Sequence, residues 1–481
     1  MYNTAALASD REAARVGTAE RSPRSRAARA GDILVGLAVA ACLLVVYLTA
    51  TRQWVHGSEA GAWVFPYYAG FSANPVLVLL LVLPTALALT RWTLSTIERH
   101  ERLTLALWFA AAWALQIALR WSYPISMQDL IQSEGANSFY AVTKTHAPLA
   151  LLRSFETLVE GLPLHAQTNL LGKAMFYYVL ELFTSSPRIL GHLVVLVSNV
   201  GGLLLYSIVK DLFADRRAAL FAAILYFFVP GKLFFFPLLN TVTPVPILLC
   251  LLLHQRFVRS GKRRYALLLG VCLYLTTFFE PIPLVMGLLF LALLVAAMRQ
   301  GCIGPAAVGE LVLYTGATFA LAYSSMLVLF QYDLARDLAR CLWVQLDFHR
   351  SGDRSYGVWI WQNPIDFMAS SGVCQFVLSF LTLPWLLRRG AERAGNGSSV
   401  GSLPSAALVG VSLVLILAFL NFVVCTRGES QRLWIFLACF FQIVPAYFCA
   451  RSPSAVRFGA VLAATILYDA VTISMVGFVL P

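Results

Sequence analysis

The chain is 481 residues long, 59% hydrophobic and only 12% charged, about half the charged fraction of a soluble domain, which excludes a cytosolic globular protein. Its aromatic content of 13% excludes low-complexity Ala/Leu filler, and several apolar runs reach the roughly 20 residues needed to cross a bilayer. A net charge of +12 would suggest nucleic acid in a soluble protein; in a membrane protein it reports sidedness, and no nucleic-acid partner is expected.

In chain order, residues 1–31 hold six Arg and no apolar segment, which predicts a disordered basic cytoplasmic tail. Apolar windows then predict an all-α polytopic membrane protein with about 13 transmembrane helices, near 33–50, 75–90, 103–120, 187–209, 217–236, 243–257, 265–280, 282–298, 305–330, 367–387, 405–425, 433–450 and 458–479. Asn169–Phe183 is also apolar, but Lys173 and Glu181 interrupt it while Leu171, Met175, Tyr178, Val179 and Leu182 share one helical face. That pattern predicts an amphipathic helix lying on the membrane. The charge distribution supports this choice. With the helix interfacial, the segments at 210–217, 256–264, 299, 388–393 and 451–457 share the cytoplasmic side and hold 14 basic residues, against seven on the other side after residue 190. The same topology places the N-terminus in the cytoplasm of a cell (inner or plasma) membrane and leaves two long outer loops, 121–186 and 331–366. Loops of that length are usually functional, and their aromatic content predicts order.

The candidate chemistry therefore gathers on the outer side. Asp129, in SMQDL, lies about nine residues beyond a helix end, where a partly buried carboxylate suits a general base; Glu134 is the rival or second carboxylate. His165 and Lys173, near headgroup depth, suit a lipid phosphate or a sugar hydroxyl. Lys232 follows a Pro-Gly break, with Asn240, Thr241 and Thr243 close behind, and polar groups at membrane depth are tolerated where they line a cavity. Glu280 ends one helix at the same interface. In CTRGESQRLWIF, Arg427 and Arg432 flank Glu429, and the i,i+3 spacing of Glu429 and Arg432 puts both on one face as a phosphate grip or a snorkelling ion pair. Asp469, within the last apolar stretch, suits a proton relay or a partnered structural carboxylate. The nine Cys form no C-x-x-C pair or zinc spacing and read as small core residues, so no metal site is expected. P-loop, G-x-G-x-x-G, H-E-x-x-H and G-x-S-x-G motifs are absent.

The order of an outer loop with an early Asp (SMQDL), a His-led turn into an amphipathic helix (LHAQTNLLGKAMFYYVLELF) and SSPRILGHLVVLVSNVGGLLLYSIVKDLF resembles the GT-C superfamily of integral membrane glycosyltransferases, the group that includes protein O-mannosyltransferases and the aminoarabinose transferase. RSYGVWIWQNPIDF and TRGESQRLWIF look like pieces of bacterial members. The resemblance, over roughly 103–450, implies a catalytic membrane module at 103–330, preceded by two transmembrane helices at 32–102 and followed by the second outer loop and C-terminal helices at 367–481. It implies inverting transfer of a sugar from a polyprenyl-phosphate donor to a glycan, lipid or protein acceptor, with no required cofactor and a divalent cation left open. Asp129 would take the acceptor proton, Lys232, Arg427 and Arg432 would stabilise the departing phosphate, and Trp359 and Trp361 would stack on sugar faces. A lipid-linked saccharide polymerase, ligase or flippase, and a secondary transporter using Glu280 and Asp469, stay open beside it.

Overall fold

A computed structural model describes residues 23–68, 74–351, 354–395, 405–423 and 426–479. The protein is an all-α, multi-pass membrane protein. Nine helices among the described residues are long and apolar enough to span a bilayer, from Arg29–Ala50 to Val456–Met475; the pair Tyr356–Ser371 and Val373–Arg388, bent by 108°, makes a tenth if counted as one span. Thirteen separate crossings are thus not confirmed by the described helices. Arg263–Phe279 has only 17 residues and opens with two Arg, which gives about 25 Å of helix against a hydrocarbon core of about 30 Å. The window at 367–387 straddles the bend at Gly372, whose φ of +94° suits glycine. The window at 433–450 is divided among short helices, Ile435–Phe440 and Ile443–Ala450.

The tail expectation also needs adjusting. The first helix begins at Pro23, so residues 23–31 are helical, while 1–22 lie outside the described residues. In the described residues of 121–186 and 331–366 the chain forms helices. Six short ones lie between Met127 and Glu181, and Leu334–Ser351 forms a helix of its own. Gly172–Glu181, the centre of the predicted interfacial helix, has 10 residues, too few to span; it buries Lys173, Ala174 and Tyr177 and leaves Val179 exposed, as are Leu182 and Phe183 just beyond its end.

Close packing in the centre follows from small residues. Helix Pro187–Phe213 turns at Ala214, and the Asp215 side chain caps the next helix by accepting from the Ala218 N–H at 2.9 Å. The hairpin then closes tightly, because Gly201 and Gly202 face Tyr226 and Phe227, where a Cβ would collide. Buried amides fasten it. Gln116 donates to Asn199 Oδ1 at 3.0 Å and to the Phe227 carbonyl at 2.7 Å, and Asn199 returns a bond to Gln116 Oε1 at 2.7 Å. Residues 218–235 are wholly buried, whereas in Pro305–Phe330 only Leu311 is buried, as in a lipid-facing helix.

The two ends of the bundle differ. At the basic end, ion pairs tie neighbouring helices: Arg216 to Glu98 at 2.5 Å, Arg259 to Asp211 at 2.5 Å and Arg451 to Asp215 at 3.2 Å. The opposite, loop-bearing end contains the only strands among the described residues, an antiparallel pair in which Gly57 faces Val64 and Ser58 faces Trp63. That hairpin docks on Tyr356–Ser371 through a bond from the Gly57 N–H to Asp366 Oδ1 (3.1 Å) and one from Trp359 Nε1 to the Gly61 carbonyl (3.1 Å).

Candidate functional site

At the loop-bearing end, segments distant in sequence enclose two adjoining cavities. The larger, about 170 Å³, lies between Trp63–Pro66, Gly135, His165, Phe235, Glu429 with Arg432, and Gly477–Val479. The smaller, about 30 Å³, has room for a single water and reaches Asn137, Asn169, Lys173 and Asn240. Ala136, His165, Leu238 and Arg432 line both.

Local backbone explains how Glu429 arrives there. Gly428 and Glu429 both adopt left-handed conformations, with φ of +79° and +58°. Glycine accepts this freely, but a Glu does so at a cost of about 1–2 kcal/mol, so the surrounding structure must hold it. It does so through reciprocal bonds between the Arg354 guanidinium and the Arg427 carbonyl and between the Arg427 guanidinium and the Arg354 carbonyl, both 2.9 Å, and through Asn363 Nδ2 donating to the Thr426 carbonyl at 2.9 Å. The turn points the Glu429 carboxylate at Arg432, with which it forms an ion pair, and at Arg354 Nη2, 3.6 Å away.

Electrostatics follows from this arrangement. Burial alone would raise the Glu429 carboxyl, but Arg432 and Arg354 outweigh it and hold the group below its ordinary value, so it is ionised. His165 is pushed down to about 4 by burial, with Arg432 adding to the effect, so its ring is neutral at neutral pH. Gly135 lines the same cavity as His165 and brings the 121–186 segment to it. Arg432 Nε is buried and has no hydrogen-bond partner.

Lys173 and Glu280 form a buried ion pair at the far edge of the smaller cavity, and Lys173 Nζ also donates to Asn169 Oδ1 at 2.6 Å. Gly172 makes this possible, since a Cβ there would collide with the Phe278 carbonyl and hold Gly172–Glu181 away from the end of Arg263–Phe279.

The structure thus gathers His165, Lys173, Asn240, Glu280, Glu429 and Arg432 around one place and puts the other sequence-derived candidates elsewhere. Asp129 is exposed and lines neither cavity. Its carboxylate accepts from Ser126 Oγ at 2.7 Å while its N–H donates to the same oxygen, an N-terminal cap for Met127–Gln132. Glu134 is exposed beside Gly135, which lines the larger cavity. Lys232 is wholly buried within the enclosed segment 218–235, its ammonium 3.8 Å from the centre of the Tyr226 ring and 3.4 Å from Asn199 Oδ1. The Pro-Gly break before it starts a new helix, Pro230–Phe235, instead of opening a surface loop. Arg427 braces the Glu429 turn and lines neither cavity. Trp359 is buried as a lock on the 57–64 hairpin, and Trp361, 77% exposed, lies on the outside. Asp469 is buried in Val456–Met475 with neither carboxylate oxygen hydrogen-bonded.

Sequence reading missed Arg354 and the wall formed by Trp63–Pro66. The available signal for Arg354 was a cation just before an aromatic-rich helix; its guanidinium lies 4.7 Å over the Trp63 ring. The connection between the first two membrane helices, which carried no assigned task, therefore builds part of the cavity. Among the described residues no group of three His, Cys, Asp or Glu is arranged to hold a metal ion.

Fold and site together define a multi-pass membrane protein with an ion-paired, partly apolar cavity at one membrane end. The sequence matches no protein-family model and no curated protein.

Proposed function

We propose that this protein is a membrane glycosyltransferase that moves a sugar from a polyprenyl-phosphate donor to an acceptor hydroxyl at its loop-bearing end. The observation that carries the reading is Arg432, which lines both cavities, is held by Glu429 and keeps an unpartnered Nε. A guanidinium with a free donor, fixed in a partly desolvated cavity, is suited to a phosphate oxyanion. The resemblance of the 103–450 segments to GT-C enzymes supports the donor class.

In this reaction the acceptor oxygen attacks the anomeric carbon, the bond from that carbon to the phosphate oxygen breaks, and the electron pair leaves on polyprenyl phosphate. A single displacement inverts the anomeric centre. Arg432 stabilises the charge developing on the phosphate, which costs little reorganisation because Glu429, itself braced by Arg354, already orients it. The acceptor proton passes to a carboxylate at the cavity rim. Glu134, beside the cavity-lining Gly135, suits this role better than Asp129, whose carboxylate is engaged by Ser126. Neutral His165 offers a hydrogen bond to a sugar hydroxyl.

The test uses purified protein in nanodiscs, a panel of polyprenyl-phosphate sugars and a measurement of free polyprenyl phosphate. Acceptor-dependent release is expected. Arg432→Ala is expected to slow it about 100-fold or more, the scale seen when one donor to a developing oxyanion is removed. Glu134→Gln is expected to slow it about 100-fold or more, as loss of a general base does, whereas Asp129→Asn should leave it near wild type. Substrate counterflow with no release of polyprenyl phosphate would overturn the reading in favour of transport.

A further inference from the structure

At the basic end of the bundle, away from the site above, a cavity of about 420 Å³ opens between the last turns of Pro187–Phe213 and Pro244–Ser260 and the helices Gly287–Arg299 and Ser405–Phe422. Its walls are aliphatic, with Leu212, Val258, Leu293, Ala297 and Leu408, and its size falls within the range of small-molecule sites. Two polar side chains line it from inside the bundle. His254 and Gln255 are only 4% and 7% exposed. His254 Nδ1 and both amide atoms of Gln255 have no hydrogen-bond partner. Buried polar groups in folded proteins nearly always have partners, so three orphaned atoms on one cavity call for an occupant that can donate and accept.

The charges at the rim restrict what that occupant is. Arg259 and Arg256 both engage Asp211, at 2.5 and 3.0 Å. Asp211 itself lines the cavity, so a phosphate would meet a carboxylate whose cations are already committed. Gln300, the remaining polar wall residue, is uncharged.

We propose that this cavity binds one uncharged membrane lipid, its hydroxyl, ester or amide head hydrogen-bonded to Gln255 and His254 and its chain lying on Leu293, Ala297 and Leu408. The site is independent of the glycosyl-transfer reading.

Cys302 supplies a probe, because it lines the same cavity and is exposed. The full-length protein in mild detergent is labelled with a maleimide, and the rate at Cys302 is read by peptide mass spectrometry with dioctanoylglycerol, dioctanoyl phosphatidate or decane. With dioctanoylglycerol at about five times its Kd, labelling should slow about sixfold, because only the unoccupied fraction reacts. Phosphatidate and decane should protect far less, and Gln255→Leu, checked for an unchanged unfolding midpoint, should lose the protection. Absence of protection by dioctanoylglycerol, equal protection by phosphatidate or decane, or protection that survives Gln255→Leu would each overturn the proposal. If Gln255→Leu does not fold, the wild-type comparison of the three compounds decides.

Discussion

Glu429 is the residue on which the cavity turns. Its left-handed backbone and its pairing with two guanidiniums are one arrangement, since the turn exists to deliver the carboxylate to Arg432 and Arg354. Removing either partner leaves a partly buried charge uncompensated, while removing both relieves it. A double-mutant cycle of Glu429→Gln and Arg432→Met, measured by unfolding in detergent, should therefore give a coupling of about 1–3 kcal/mol; additivity would mean that the pair is only superficial. His165 gives a second, pH-dependent expectation. Its folded-state value of about 4 lies below the ordinary 6.5, so the unfolded chain takes up the proton first as pH falls. Stability is complete above pH 6.5 and declines from there toward pH 4. The contribution of His56, pushed down to about 3 by burial, declines from the same pH 6.5 and on to about pH 3. The fall in unfolding midpoint between pH 7.5 and 4.5 should be shallower in His165→Gln than in wild type, and shallower again when His56→Gln is added. A wild-type curve that is flat across that interval would contradict both assignments.

Among the elements, the short helix Gly172–Glu181 has the most specific placement. It holds Lys173 against Glu280 only because Gly172 lets two backbones approach. Gly172→Val should push the helix off the Phe278 carbonyl, lower the unfolding midpoint and weaken donor binding. Gly161→Ala, in open space, should do neither. Much at this scale was legible in the sequence. Glu429 and Arg432 were paired by an i,i+3 spacing, and the pair forms, although Glu429 stands at the left-handed cap of Ser430–Leu433 and not within the helix. Asp129 was equally local, since Ser126 three residues earlier is a capping signature, and that cap forms. Lys232 was not legible. Every side of its helix is apolar, so composition gives no hint that the Pro-Gly break turns inward and places the ammonium over Tyr226.

Across the whole molecule, the loop-bearing end and the basic end are chemically distinct, and the positive-inside rule predicts that the basic end faces the cytoplasm. With Cys302→Ser and Cys425→Ser as background, an impermeant maleimide should reach Lys262→Cys only in inside-out vesicles and Glu134→Cys only in right-side-out ones. Labelling of both from one side would invalidate the topology and the outer-face chemistry built on it.

The membrane class, the position of nearly every long helix and the asymmetry of charge were present in the one-dimensional pattern, because hydrophobic length and loop charge act locally and need no knowledge of neighbours. Folding alone decided which polar residues share a cavity. Trp359 meets Gly61 across 298 positions, Arg354 meets Arg427 and Glu429, and His165 meets Arg432. In a chain this uniformly apolar, burial depends on which helix packs against which, and side chains of identical local setting end in the bundle centre, as Lys232 does, or outside it, as Trp361 does.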